Sequence, residues 1–335
     1  MESFRNTMKY IRLGVGGIFF ALLFSGCGGG GDSPLSVIPT PSNELYVSDI
    51  INDSIEVFAR DADGNINPSR VLVGARTLLH WPRDIAIDRI HSEMFVVNAA
   101  SNTITVYSTT ASGNTAPVRT ITSSPASLLN PQRVVFDDVN NEIFVTSSAN
   151  DSIMIFDRTA SGNVAPKRII VGALTTLSNP IGLSVDTVNN ELIVGNSSSD
   201  SILVFSRTDN GDVAPIRSII GPATNINAPT GLFIDTVNDE ITVANWGVND
   251  SILIFSRTDN GDVAPTRSIT GALTTLNNPQ GIFVDTVNDE IVVGNDFGSS
   301  VLVFGRSDTG DSPPTRTISG ALTTINSPVG VAVVN

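Results

Sequence analysis

The sequence predicts an all-β chain folded as a six-bladed β-propeller of four-stranded blades, closed by pairing of the N- and C-terminal strands in one blade. Three observations carry this. The first is a fixed period: Glu44, Glu93, Glu142, Glu191, Glu240 and Glu290 are separated by 49, 49, 49, 49 and 50 residues. Three other series keep the same register: glycines from Gly64 to Gly310, prolines from Pro82 to Pro328, and arginines from Arg70 to Arg316. A period of roughly 40–50 residues with several short strands per unit is the pattern of propeller blades. The second is that the central runs of each unit, such as Glu191–Val194 and Ser201–Phe205, are apolar on both faces. A sheet sandwiched between two neighbouring sheets needs such strands. The third is the register of the ends. The chain enters at the second strand of a unit (Asn43–Val47) and leaves after the first strand of another (Gly330–Val334), so the two ends complete one blade and leave no free edge at the seam.

Taken in order, residues 1–26 read as a leader. Arg5, Lys9 and Arg12 form a positive n-region before the apolar run Leu13–Phe24. The run ends Leu23-Phe24-Ser25-Gly26-Cys27, which resembles a bacterial lipobox, and Cys27 is the single cysteine of the chain. Lipidation at Cys27 is therefore expected, with several acyl chains giving a firm membrane anchor. The stretch that follows, to Ser42, is rich in Gly, Ser and Pro and is expected to act as a flexible tether, so that 27–42 links the anchor to a propeller at 43–335. Within each unit a strand such as Gly281–Asp285 leads through a turn to Glu290–Asn295, then through a loop to a third strand, a hairpin turn and a fourth strand near Thr315–Ser319. Asn210-Gly211 and Asn260-Gly261 suit tight turns that require positive φ. Outside the leader no window has a helical period.

The motifs P-x-G-[IL]-x-V-D, E-[IL]-x-V-x-[ND] and S-I-x-V-F, repeated over residues 43–335, resemble the NHL-repeat family of six-bladed propellers. The resemblance implies a fold more than an activity, since NHL-like propellers include scaffolds, ligand binders, a lyase and relatives of calcium-dependent lactonases. The glycine after Cys27, in place of the aspartate that marks inner-membrane retention in lipoproteins, implies an envelope location with the outer membrane favoured.

Charge narrows the partners. The net charge is −14; residues 1–26 contribute +2 (Arg5, Lys9 and Arg12 against Glu2), leaving −16 once they are removed. Dispersed acidity of this size excludes a nucleic-acid footprint and fits a soluble, monomeric disc. Two histidines, His80 and His91, are too few for a zinc site or a triad, and no Gly-rich phosphate loop opens a helix, so no catalytic residues are assigned and a non-enzymatic role is favoured.

Two candidate sites remain. The second strands end at Asp49, Asn98, Ser147, Asn196, Asn245 and Asn295. Oxygen ligands of this kind suit calcium, the one cofactor the sequence entertains, although six near-equivalent copies favour each capping its own loop. The other site lies in departures from the repeat. Arg83-Asp84 and Gln132-Arg133 follow the first two blade prolines where later copies carry Gly182, Gly231, Gly281 and Gly330. Trp81, the inserted Trp246-Gly247-Val248 and Phe297 are likewise specific to single copies. Trp81, Arg83, Arg133, Trp246 and Phe297 are expected to line one side of the mouth for a protein or glycan ligand. The repeat arginines are expected to pair with repeat carboxylates or to lie along the outer strand.

Overall fold

The computed structural model describes residues 43–123 and 128–335. The leader, Cys27 and the tether expected at 28–42 lie outside the described residues. The described chain forms six antiparallel four-stranded blades around an axis, one of them extended by a two-residue strand, Gly162–Asn163, that pairs parallel with Arg119–Thr122. Blade 1 comprises Pro328–Val334, Glu44–Asp49, Ser54–Ala59 and Arg70–Val73, from the axis outward, and blade 2 comprises Pro82–Asp88, Glu93–Asn98, Thr103–Ser108 and Arg119–Thr122. Blades 3 to 6 repeat the plan from innermost strands Pro131–Asp137, Pro180–Asp186, Pro229–Asp235 and Pro279–Asp285. The seam closes as the register of the ends requires: Glu44 pairs with Val334 and Tyr46 with Ala332. Among the described residues the only helical elements are three-residue 3-10 turns.

The two-faced strands account for the core. Apolar clusters fill the gaps between successive blades rather than one central core. Phe95, Val97, Ile143 and Phe156 pack between blades 2 and 3, and Leu45, Phe58, Val301 and Val331 pack between blades 6 and 1. Each such strand is buried on both sides, so alternation would place a polar side chain in a neighbour's core.

The outer edges are covered by a device carried in the hairpin turns. In each turn a glycine of the next blade bonds the fourth strand of the preceding one: Gly113 N–H donates to Val71 O at 2.6 Å and Val73 N–H donates to Gly113 O at 3.0 Å. The bridge Ile219↔Gly261 repeats it, with Gly261 at φ 80°, a left-handed conformation that suits glycine. The following Asp or Asn then reaches the same neighbour, as where Leu174 N–H donates to Asp212 Oδ1 at 2.7 Å.

Candidate binding site at the mouth of the channel

The six innermost strands surround a channel of about 310 Å³ whose wall includes Ile87, Phe136, Phe233, Phe283 and Val333. Phe233 and Phe283, from adjacent blades, meet edge to face with ring centroids 5.0 Å apart. The prolines begin the innermost strands, so the residues just after them ring one end of this channel. Four blades carry glycine at the second position after proline. In blades 5 and 6 the reason is close strand approach: a Cβ on Gly231 would stand 2.2 Å from Gln280 O, and one on Gly281 would stand 2.3 Å from Val329 O. Blades 2 and 3 place Asp84 and Arg133 at this level instead.

Arg133 is 4% exposed. Its Nη1 donates to Arg83 O at 3.0 Å and to Gln132 O at 3.4 Å, while Nε and Nη2 have no partner. Burial lowers its proton affinity, the Asp84 charge opposes this, and nearby Arg83 lowers it further. Asp84 Oδ2 accepts from Val134 N–H at 3.0 Å. Burial pushes the Asp84 carboxyl up to about 6, with Arg133 and the backbone donors of Val134 and Ile85 holding it down in part. Arg83, half-buried, has no ion pair or side-chain hydrogen bond among the described residues, and its Nε is closed off from water. Burial depresses it and Asp296 compensates from a distance. Asp296 is raised, mainly by burial; it accepts from Ser327 Oγ and, at 2.8 Å, from Asn278 Nδ2. The mouth thus gathers two cations and two carboxyl groups that do not pair with one another. Unpaired buried charge is costly, and native chains keep it mainly where it is used.

The residues expected to ligate calcium are engaged otherwise. Asp49, Asn98, Asn196, Asn245 and Asn295 are all at most 3% exposed. The side-chain Oδ1 of Asn98 accepts from His80 N–H at 3.0 Å, and those of Asn196, Asn245 and Asn295 accept from Ser178, Asn227 and Asn277 N–H at 2.6 Å. Asp49 spends both oxygens, on Ile51 and Asn52 N–H and on Asn326 and Ser327 N–H. These latches fix the strand connections, and oxygens so committed do not fit a calcium ion. Among the described residues no group of three or more His, Cys, Asp or Glu is placed to hold a metal.

Arg83 and Arg133 are brought together; the aromatics are not. Trp81 enters blade 2, whereas Trp246 follows the second strand of blade 5 and Phe297 that of blade 6. Innermost strands neighbour one another in chain order, with blade 1 between blades 6 and 2, so the two tryptophans stand on opposite sides of the disc rather than one. They are 51% and 43% exposed, and Phe297 is 66% exposed. Sequence reasoning noted Asp84 and Asp296 among the departures from the repeat but did not assign them as site residues. The signal for Asp84 was present, since it occupies the position that four later copies give to glycine.

Residues 36–136 match the model of a family described as lactonase, 7-bladed beta-propeller. The match covers a minority of this chain, whose propeller has six blades, and it contains Arg83, Asp84 and Arg133. No curated protein matches the sequence. Among solved structures the chain is similar to a nidogen/laminin complex, at 16% identity and TM-score 0.61, over 86% of this chain and 97% of that one. A functionally unknown protein from Desulfotomaculum acetoxidans is similar at 12% identity and TM-score 0.58, over 87% of this chain and 99% of that one. A Bacteroides uniformis protein provisionally described as a 6-phosphogluconolactonase is similar at 17% identity and TM-score 0.58, over 86% of this chain and 84% of that one. At these identities the likenesses show the propeller fold alone.

Proposed function

We propose that the chain is a lipid-anchored envelope protein whose NHL-like propeller binds a ligand at the proline end of its channel. The observation that supports this best is the buried, incompletely partnered Arg133 beside Arg83, at the mouth of an apolar channel. A pocket with an apolar body and few polar groups is the usual form of a small-ligand site. The exposed Trp81, Trp246 and Phe297 add separate contacts for a larger protein or glycan ligand. The reading is tested by ligand-induced thermal shifts of the wild-type chain against Arg83→Gln and Arg133→Gln. Shifts that persist unchanged in both variants would remove the mouth from the account.

A second reading, lactone hydrolysis, draws on the lactonase family match over residues 36–136. Its calcium form is poorly served by the committed Asn side chains. Turnover of a lactone panel, lost in Asp84→Asn, would favour it; no turnover by the wild-type chain would sink it.

A further inference from the structure

We infer that the mouth is an oxyanion site for a small carboxylate, its head held by Arg83 and Arg133 and its apolar body in the channel. This rests on the binding reading above and adds the ligand's chemical class.

The two arginines come from consecutive blades, and Arg133 Nη1 donates to Arg83 O at 3.0 Å. Neither has a carboxylate within ion-pair distance among the described residues, while arginines elsewhere in the fold, such as Arg168 on Glu142, are firmly paired. The nearest acids are occupied: Asp84 by Val134 N–H, and Asp296 by Ser327 and Asn278. An anion between the two cations turns mutual repulsion into attraction. A planar carboxylate matches the guanidinium fork, and a desolvated setting strengthens such charge-assisted bonds. The wall beyond Asp84 and Arg133 is mostly apolar, with Phe136, Phe233 and Phe283 and only Arg89 and Ser184 as polar members, and about 310 Å³ is at the small end of ligand pockets. The occupant is therefore a small, partly apolar carboxylate rather than a phosphate or an extended polyol.

The test is isothermal titration of the purified full-length protein with hexanoate, hexanol, inorganic phosphate and a neutral disaccharide. Hexanoate binds, hexanol and phosphate do not, and Arg83→Gln weakens hexanoate at least tenfold with an unchanged thermal midpoint. Arg83→Lys, which keeps the charge but loses the fork, falls between. Hexanoate binding equally well to Arg83→Gln, or hexanol binding as tightly as hexanoate, overturns the proposal. If the disaccharide binds and is lost in Arg83→Gln while hexanoate fails, the carboxylate class falls and the mouth site stands. If no probe binds, or none responds to Arg83→Gln or Arg133→Gln, both fall.

Discussion

Glu56 departs from the chain's own repeat. Thr105, Met154, Leu203, Leu253 and Leu302 hold its strand position in the other blades. It is 1% exposed, accepts from Ser54 Oγ at 2.6 Å through Oε1, and leaves Oε2 without a partner. Burial pushes its carboxyl up to about 8 from 4.5, and Asp49 adds to the rise. The folded state then binds the proton more tightly than the unfolded one, so its contribution is full below pH 4.5 and declines as pH rises towards 8. Glu56→Gln should match wild type at pH 4 and exceed it at pH 8 by on the order of 1–3 kcal/mol in denaturant unfolding. A deficit at pH 8 would show that the ionised carboxylate is needed. The strand-end asparagines predict the opposite kind of change. Asn196→Ala or Asn245→Ala removes a buried latch and should cost about 1–3 kcal/mol, with no dependence on added calcium. Calcium-dependent stability in wild type, absent from these variants, would restore the ion site. The sequence placed these residues at their strand ends but left capping and ligation open, because the same short polar oxygen does both. Glu56 was equally visible as the odd member of its series; its burial depended on knowing that this strand is covered on both sides.

Between elements, the glutamate that opens the second strand of blades 2 to 6 joins its own blade to the next. Glu142 takes a bidentate pair from Arg168 of its own blade, at 2.7 and 2.9 Å, and a further bond from Arg207 of blade 4 at 3.0 Å. Glu93 with Arg119 and Arg158, and Glu191 with Arg217 and Arg257, repeat the arrangement. Arg168, then Lys167, holds Glu142 down at about 2. With the folded value below the unfolded one, this stabilisation is present above pH 4.5 and is lost as pH falls towards 2. Glu142→Gln leaves Arg168 without its carboxylate and Arg207 with only Asp137, at 3.4 Å, and should cost about 3 kcal/mol at pH 7, a difference that shrinks as pH falls to 2 in an acid-unfolding series. A cost unchanged at pH 2 would point to packing instead. Gly261→Ala, at φ 80°, should cost about 1–2 kcal/mol through the left-handed backbone. The pairing of arginines with repeat carboxylates was expected from their shared period. Their bridging of blades was not, because the second arginine lies some 65 residues on and only the closed ring brings it near.

For the whole molecule, the register of the two ends fixed the closure, and the structure pairs them as that register requires. Removing residues 328–335 strips blade 1 of its inner strand and should abolish cooperative unfolding, as followed by circular dichroism. The same count of blades held a fact about the mouth that motif reading passed over: Trp81 and Trp246 belong to blades three apart and cannot share a side. What the sequence marked correctly was the break in symmetry at blades 2 and 3, where charged residues replace glycines needed for close strand approach. We propose that these charges are kept for a ligand and not for stability. Chemical denaturation of Asp84→Asn/Arg133→Met tests this, because replacing charged groups that lack a direct ion-pair partner by neutral side chains of similar size removes their desolvation cost and should leave stability unchanged or raise it by about 1–4 kcal/mol. The expected result is stability equal to or above wild type together with loss of carboxylate binding. A loss of stability beyond about 2 kcal/mol would contradict it, making Asp84 and Arg133 a structural plug of the propeller.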